Sequence, residues 1–167
     1  TPNDSTTPVA VSGLSDVVAI DAGRWHTCAA LADGTARCWG DGWAGQLGNG
    51  GTAPSSTPVL VPGITDATAV SAGSTHSCAV LADGAAQCWG LNDWGQLGDG
   101  SEDSSLVQVT VTGGGDAVDV SVGYNHTCAA LADGTVRCWG QNPYGELGTG
   151  TEGWTSVPVE VPGVAGA

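Results

Sequence analysis

The chain has 167 residues, with 17 Asp and Glu against three Arg and no Lys, for a net charge of −14. Such a surface repels phosphate backbones and excludes direct binding of DNA or RNA; it favours basic partners or divalent cations. No apolar run is long enough for a transmembrane helix, and the 28 Gly and 8 Pro recur at fixed phase between apolar segments, which marks turns rather than disorder.

Residues 1–6 are polar. Thr7-Pro8-Val9-Ala10-Val11 is the first of four similar segments, followed by 57–61, 107–111 and 157–161. Pro near the start of three of them suits an outer strand paired on one side only. Val17–Asp21 reads as a first strand, with Val17, Ala19 and Asp21 on one face and Val18 and Ile20 on the other. A second strand is expected at His26–Leu31, a third at Thr35–Gly40 and a fourth around Pro58–Val61. No capping signal opens a sustained helical pattern.

The same succession returns after 50 residues, and again after another 50, without insertion or deletion. Gly23-Arg24-Trp25-His26-Thr27-Cys28 becomes Gly73-Ser74-Thr75-His76-Ser77-Cys78 and then Gly123-Tyr124-Asn125-His126-Thr127-Cys128. Each copy runs on to Cys-Trp-Gly and then to Gly-Gln-Leu-Gly or Gly-Glu-Leu-Gly. A period in this range signals a repeat architecture. Four outer-strand segments against three cysteine hairpins give about three and a third units. The expected organisation is a single all-β array over 1–167: a partial unit at 1–21, repeats at 22–71 and 72–121, and an incomplete repeat at 122–167.

The hairpins pair Cys28 with Cys38, Cys78 with Cys88 and Cys128 with Cys138, around Leu-Ala-Asp-Gly. A two-residue Asp-Gly turn would set the two sulfurs on opposite faces. A three-residue loop, Ala32-Asp33-Gly34 with Gly34 left-handed, sets Cys28 opposite Cys38 in a non-hydrogen-bonded pair, with Cα atoms ~4.5 Å apart and within disulfide range. Three disulfides and three-residue loops are therefore expected together. The rival readings are free thiols and zinc on His26, Cys28 and Cys38 with their repeats, although that spacing lacks the short Cys knuckle of structural zinc sites. Disulfides imply an oxidising compartment, extracellular or at a cell surface.

The string Gly-x-x-His-Thr/Ser-Cys-Ala-x-Leu-x-Asp-Gly-x-x-x-Cys-Trp-Gly, continued by Gly-Gln/Glu-Leu-Gly, resembles the repeat of the regulator of chromosome condensation family. The resemblance covers residues 5–167. It implies propeller-type blades of four antiparallel strands, usually seven to a closed propeller, and the paired cysteines resemble the bacterial, extracytoplasmic members. Family functions include nucleotide exchange on a small GTPase, ultraviolet sensing by clustered tryptophans and inhibition of secreted β-lactamases, and a shared fold does not choose among them. The inserted wedge of the exchange factors has no counterpart in this strict frame. Nor does a tryptophan cluster, since the positions that correspond to Trp25 in the other copies are Thr75 and Asn125.

His26, His76 and His126 are expected to anchor the turn after the first strand through backbone hydrogen bonds. Trp39, Trp89 and Trp139 are expected to pack between blades. Trp43, Trp94, Tyr144 and Trp154 vary while the frame does not, so they are the candidates for partner contact. Asp99, Glu102 and Asp103 form the densest acidic group and the one place where Ca²⁺ could be held; otherwise no cofactor, metal site or catalytic constellation is expected. A three-blade array cannot close a propeller. The chain is therefore expected to be a secreted, non-enzymatic subunit that assembles head to tail into an extracellular filament. In that scheme Val17, Val18 and Ile20 of one copy would add as a strand beside Val159 and Val161 of another. The alternative is an extracellular protein-binding module that uses its loop aromatics.

Overall fold

Twelve strands and no helix make up the described part of the chain, residues 5–164 of a computed structural model. Thr1–Asp4 and Ala165–Ala167, which include most of the polar lead segment and the tail, lie outside the described residues. Blade 1 comprises β1 (Val17–Ala22), β2 (His26–Leu31), β3 (Ala36–Gly40) and β4 (Ser55–Leu60). Blade 2 comprises β5 (Ala67–Ala72), β6 (His76–Leu81), β7 (Ala86–Gly90) and β8 (Ser105–Thr110). Blade 3 comprises β9 (Ala117–Val122), β10 (His126–Leu131), β11 (Val136–Gly140) and β12 (Thr155–Glu160). Each blade is one antiparallel sheet with its strands in sequence order.

This grouping corrects the expected frame. The boundaries 22–71 and 72–121 would join the second to fourth strands of one blade to the first strand of the next. In the structure β1 pairs with β2 across a turn closed by Gly23 N–H donating to His26 O at 2.9 Å, and β4 pairs with β3 of its own blade. The three blades are therefore complete. The Thr7–Val11 segment forms no strand and is exposed. Val17, Val18 and Ile20 already belong to a paired strand, and Val159 lies opposite Cys138 in blade 3. Strand addition between copies is thus not what the sheets lack.

The hairpins form as expected. Cys28 faces Cys38, Cys78 faces Cys88 and Cys128 faces Cys138 in the ladders, with Cα separations of 4.1, 4.1 and 4.0 Å, and all six cysteines are disulfide-bonded. Gly34 is left-handed at φ 82°, and Asp33 Oδ1 accepts from the N–H and hydroxyl of Thr35 at 2.9 and 2.7 Å. Gly34 also has no room for a side chain, because a Cβ would lie 2.1 Å from Thr65 O on the strap leading to blade 2.

A bulge between Val17 and Ala19 breaks the simple alternation expected in β1. Its repeats show the result: Ala67 with Val70, and Ala117 with Val120, turn together toward the preceding blade and are buried. The core lies between sheets. One cluster joins Cys28, Ala30, Ala36, Cys38, Leu47 and Val61 of blade 1 to Val70, Ala79 and Trp89 of blade 2. A second repeats it between blades 2 and 3 with Cys78, Val80, Leu97, Val111, Val120 and Trp139.

Candidate functional site

The joint between consecutive blades is built from side chains at fixed phase. Ser77 Oγ donates to the backbone oxygen of Gln46 at 2.9 Å, and Thr127 Oγ1 donates to that of Gln96 at 2.9 Å. The same two carbonyls accept from Trp89 Nε1 and Trp139 Nε1, each at 2.9 Å. With its proton committed, each hydroxyl accepts from a histidine of the preceding blade: His26 Nε2 lies 2.7 Å from Ser77 Oγ and His76 Nε2 2.9 Å from Thr127 Oγ1. This network assigns the neutral Nε2–H tautomer to both rings. Nδ1 of each is buried without a partner. Protonation would place a charge and an unmatched N–H there, so burial lowers the pKa of His26 to about 4 and of His76 to about 3. The histidines therefore tie blade to blade, rather than anchoring their own turn as expected.

Trp89 and Trp139 are fully buried in these joints, in the packing role expected of them. Trp39, at the same phase, is only half-buried, since no preceding blade covers it among the described residues. Ile20 beside it is 59 % exposed, whereas Val70 and Val120 at its position are 7 % and 5 % exposed. The opposite end is open in the complementary way. Gly145, Glu146 and Gly148 of blade 3 are exposed, while Gly45, Gln46, Gly48, Gly95, Gln96 and Gly98 are buried under the following blade. Asp119, Ser121, Cys128, Ala130 and Val136 line a cleft on this face. The chain thus presents two unlike faces, one carrying each half of its internal joint.

The loop aromatics are all exposed, Tyr144 most at 90 %. Only two of them meet: Trp94 of blade 2 and Trp154 of blade 3 share an apolar cleft of about 140 Å³ with Pro143 and Gly153. The polar residues lining it are engaged elsewhere. Gln141 Oε1 accepts from Asn125 Nδ2 at 2.9 Å, and Asn142 bonds Leu147 N–H and Thr151 O. Trp43 and Tyr144 stand apart from this cleft. Near the inner turns Arg24 donates to Tyr124 Oη at 3.0 Å and lies over the rings of Trp25 and Tyr124, linking blades 1 and 3 across blade 2.

Asp99 spends Oδ1 on the N–H and hydroxyl of Ser101 at 2.9 and 2.8 Å, and Asn92 Nδ2 bonds the carbonyl oxygens of Ser101 and Asp103. These bonds shape the loop around Asn92. Among the described residues no three His, Cys, Asp or Glu side chains converge as metal ligands, and Asp99, Glu102 and Asp103 do not. No helix of the described residues is long and apolar enough to cross a membrane. Sequence reading missed Gln46 and Gln96, whose carbonyls are the hub of each joint, and Ser77 and Thr127. The available signal was the paired recurrence of Thr/Ser before Cys and of Gln/Glu before Leu-Gly at one phase.

The fold is that of known proteins. Human WBSCR16 matches with a TM-score of 0.78 at 25 % identity, over 87 % of this chain and 38 % of its own. Yeast RCC1 (Prp20), in a structure with Kap60, matches with 0.77 at 23 % identity, over 89 % of this chain and 37 % of its own. A second structure of Prp20p from Saccharomyces cerevisiae, described with its binding properties to Gsp1p and histones, gives 0.77 and 23 % over 89 % and 39 %. The chain therefore spans less than two fifths of the length of these structures. No curated relative matches the sequence. The Regulator of chromosome condensation (RCC1) repeat matches residues 17–46, 67–96 and 117–146 in one form, and 33–80 and 83–130 in a second. These matches take in more than half of the chain, the first form beginning at the first strand of each blade and the second spanning consecutive blades, so the chain belongs to the RCC1-repeat family of β-propeller proteins.

Proposed function

We propose that this chain is a non-enzymatic, extracellular protein-binding module that works by adding blades, with further copies of itself as the partner, joined head to tail into a filament. The observation that carries the reading is the internal joint, which repeats at one phase: Ser77 and Trp89 of blade 2 close on the backbone oxygen of Gln46 in blade 1, and Thr127 and Trp139 of blade 3 on that of Gln96 in blade 2, each at 2.9 Å. A joint of this kind is one that another blade of the same repeat can make. The three disulfides suit an oxidising, extracytoplasmic setting. Two of the three histidines, the residues best suited to proton transfer, are held neutral and spent on the joints.

Light scattering on the purified chain tests this, with negative-stain microscopy alongside at neutral and mildly acidic pH. The expected result is a mass above the 16.4 kDa of one chain that grows with concentration, together with extended particles. A single-chain mass at every concentration would overturn it. A second reading is favoured by the cleft between Trp94 and Trp154: capture of another protein by an apolar side chain seated there. It predicts discrete particles, and a partner lost on Trp94→Ala or Trp154→Ala.

A further inference from the structure

Trp94 and Trp154 stand on loops of different blades, and the cleft they share with Pro143 lies between blades 2 and 3. Both rings are open to solvent, at 39 % and 47 %. Trp94 is exposed although blade 3 follows it. Pro54 and Ser104 hold the position of Trp154 in blades 1 and 2, and Thr52 and Glu102 that of Glu152. All four are exposed with a blade after them, so the openness of Glu152 and Trp154 does not depend on what lies beyond blade 3. The cleft is particular to this joint. Between blades 1 and 2 the corresponding positions are Ala44, Asp93 and Ser104, which cannot form it.

The surroundings are acidic. Trp154, Asn142 and Gly153 also wall a second cleft, which holds Glu152 and Glu160. The loop that carries Trp94 carries Asp93, Glu102 and Asp103 as well, all exposed. The cations of the chain lie elsewhere. Arg24 and Arg37 belong to blade 1, where Arg24 is over Trp25 and Tyr124 and Arg37 Nε is buried. Arg137 is opposite Glu160 in the ladder, with Nη1 donating to Gly113 O at 2.9 Å. His26 and His76 are spent on Ser77 and Thr127, and the ring of His126 lies against Gly123. Among the described residues no Arg or His lines either cleft.

We propose that the Trp94–Trp154 cleft seats an arginine of a basic protein segment, its stem on the two indoles and its guanidinium turned to the Glu152 carboxylate. This rests on the second reading above, protein capture at this cleft, and names the occupant: the apolar part seated there is the stem of a side chain that ends in a charge. Gln141 and Asn142 are engaged within the protein, so the walls offer aromatic faces and the rim offers carboxylate. Those are the two groups a guanidinium recognises, by stacking on an indole and by pairing with an acid through its fork of N–H donors. An ammonium is a more strongly hydrated point charge and suits an aromatic wall less well. Glu160 already has Arg137 opposite it, which leaves Glu152 as the carboxylate for the incoming group.

Nuclear magnetic resonance of the tryptophan indole N–H groups tests this on the whole chain, at about 0.15 M salt to screen the general attraction of an acidic surface. The probe is the peptide acetyl-Gly-Ala-Arg-Ala-Gly-amide, compared with the same peptide carrying Leu in place of Arg. The Arg peptide should shift the Trp94 and Trp154 signals saturably and leave that of Trp43 in place, binding about fivefold more tightly than the Leu peptide. Glu152→Gln should weaken the Arg peptide about threefold and leave the Leu peptide unchanged. Trp94→Ala and Trp154→Ala, both at exposed positions, should each abolish saturable binding. A Leu peptide bound as tightly as the Arg peptide would overturn the arginine seat while leaving protein capture at the cleft standing. Arg-peptide binding that survives both tryptophan variants, or shifts Trp43 equally, would overturn it as general attraction to the acidic surface. If neither peptide shifts Trp94 or Trp154, the seat and the capture reading fall together.

Discussion

Replacing His76 by glutamine should make the fold less sensitive to acid. The amide can still donate to Thr127 Oγ1, but it carries no titrating nitrogen. In the wild type His76 is wholly buried and its pKa falls from 6.5 to about 3, first through desolvation and then through the neighbouring His26 and His126. Between those two values the unfolded chain binds a proton that the folded chain refuses. The joint's contribution is therefore fully present above about pH 6.5 and is lost as pH falls toward the folded value, at about 1.4 kcal/mol per pH unit. Two units of acidification should cost the wild type about 3 kcal/mol more than H76Q, a sizeable part of the 5–15 kcal/mol (roughly) that holds a typical domain. His26, lowered to about 4, acts in the same direction in both proteins. So do Asp33 and Asp133, whose carboxyls are lowered by the Thr35 and Thr135 hydrogen bonds, side-chain bond first. These contributions cancel in the comparison, as does any cost of the substitution at neutral pH. Urea unfolding followed by tryptophan fluorescence, repeated down to about pH 4.5, gives the two slopes. Parallel slopes would refute the reasoning, because the buried neutral ring would then not be what acid attacks.

Opening one hairpin disulfide, as in C78A/C88A, releases a loop of about eleven residues and should lower the unfolding free energy by ~3 kcal/mol in denaturant titration. Gly84→Ala should cost at least 1–2 kcal/mol (roughly) through its left-handed backbone, plus a clash, since the Cβ would lie 2.9 Å from Asp116 Cα; calorimetry would read this as a lower Tm. Trp139→Ala empties a fully buried site and should cost about 3–5 kcal/mol. Trp39→Ala should cost the single chain clearly less and instead weaken association, which sedimentation separates from stability.

The hairpins were the most legible part of the fold, because one local decision controls them. Gly34 at the left-handed position sets a three-residue loop, and that loop alone brings Cys28 opposite Cys38. The strand frame was harder to read. The 50-residue period is the same wherever counting starts, so it cannot say whether Ala67–Ala72 closes one blade or opens the next. That is decided by the short turn between β5 and β6, which favours pairing neighbours in sequence. The joint was legible only in part. Trp89 and Trp139 announced themselves by size, but the atoms they seek are backbone oxygens of Gln46 and Gln96, and a carbonyl leaves no trace in residue identity. The histidine partners were hidden for a related reason: Ser77 and Thr127 lie 51 residues downstream of His26 and His76, one period plus one. That offset exists only once blades are stacked.

The joint also bears on whether assembly closes. Three blades superpose on WBSCR16 and Prp20 with TM-scores of 0.77–0.78, so they share the propeller fold. If the contact between copies repeats the stacking of the internal joints, blades accumulate in threes. The seven-blade closure that the family resemblance implies falls between two copies and three. A ring of two would have to open each joint angle from about 51° to 60° by that count, and six such changes would strain the close approach of Gly23 to Gly73 and of Gly73 to Gly123, where a Cβ would meet carbonyl oxygen at 2.2 and 2.4 Å. An offset along the axis at the one non-covalent joint avoids that strain and leads to a helix instead. The covalent joints are tied by Ala67 N–H to Gly34 O at 2.9 Å and Ala117 N–H to Gly84 O at 3.0 Å, which fixes their height. On the assembly reading proposed above, the contact between copies lacks the connecting chain, so axial slip is freest there and a filament rather than a ring is the expected outcome.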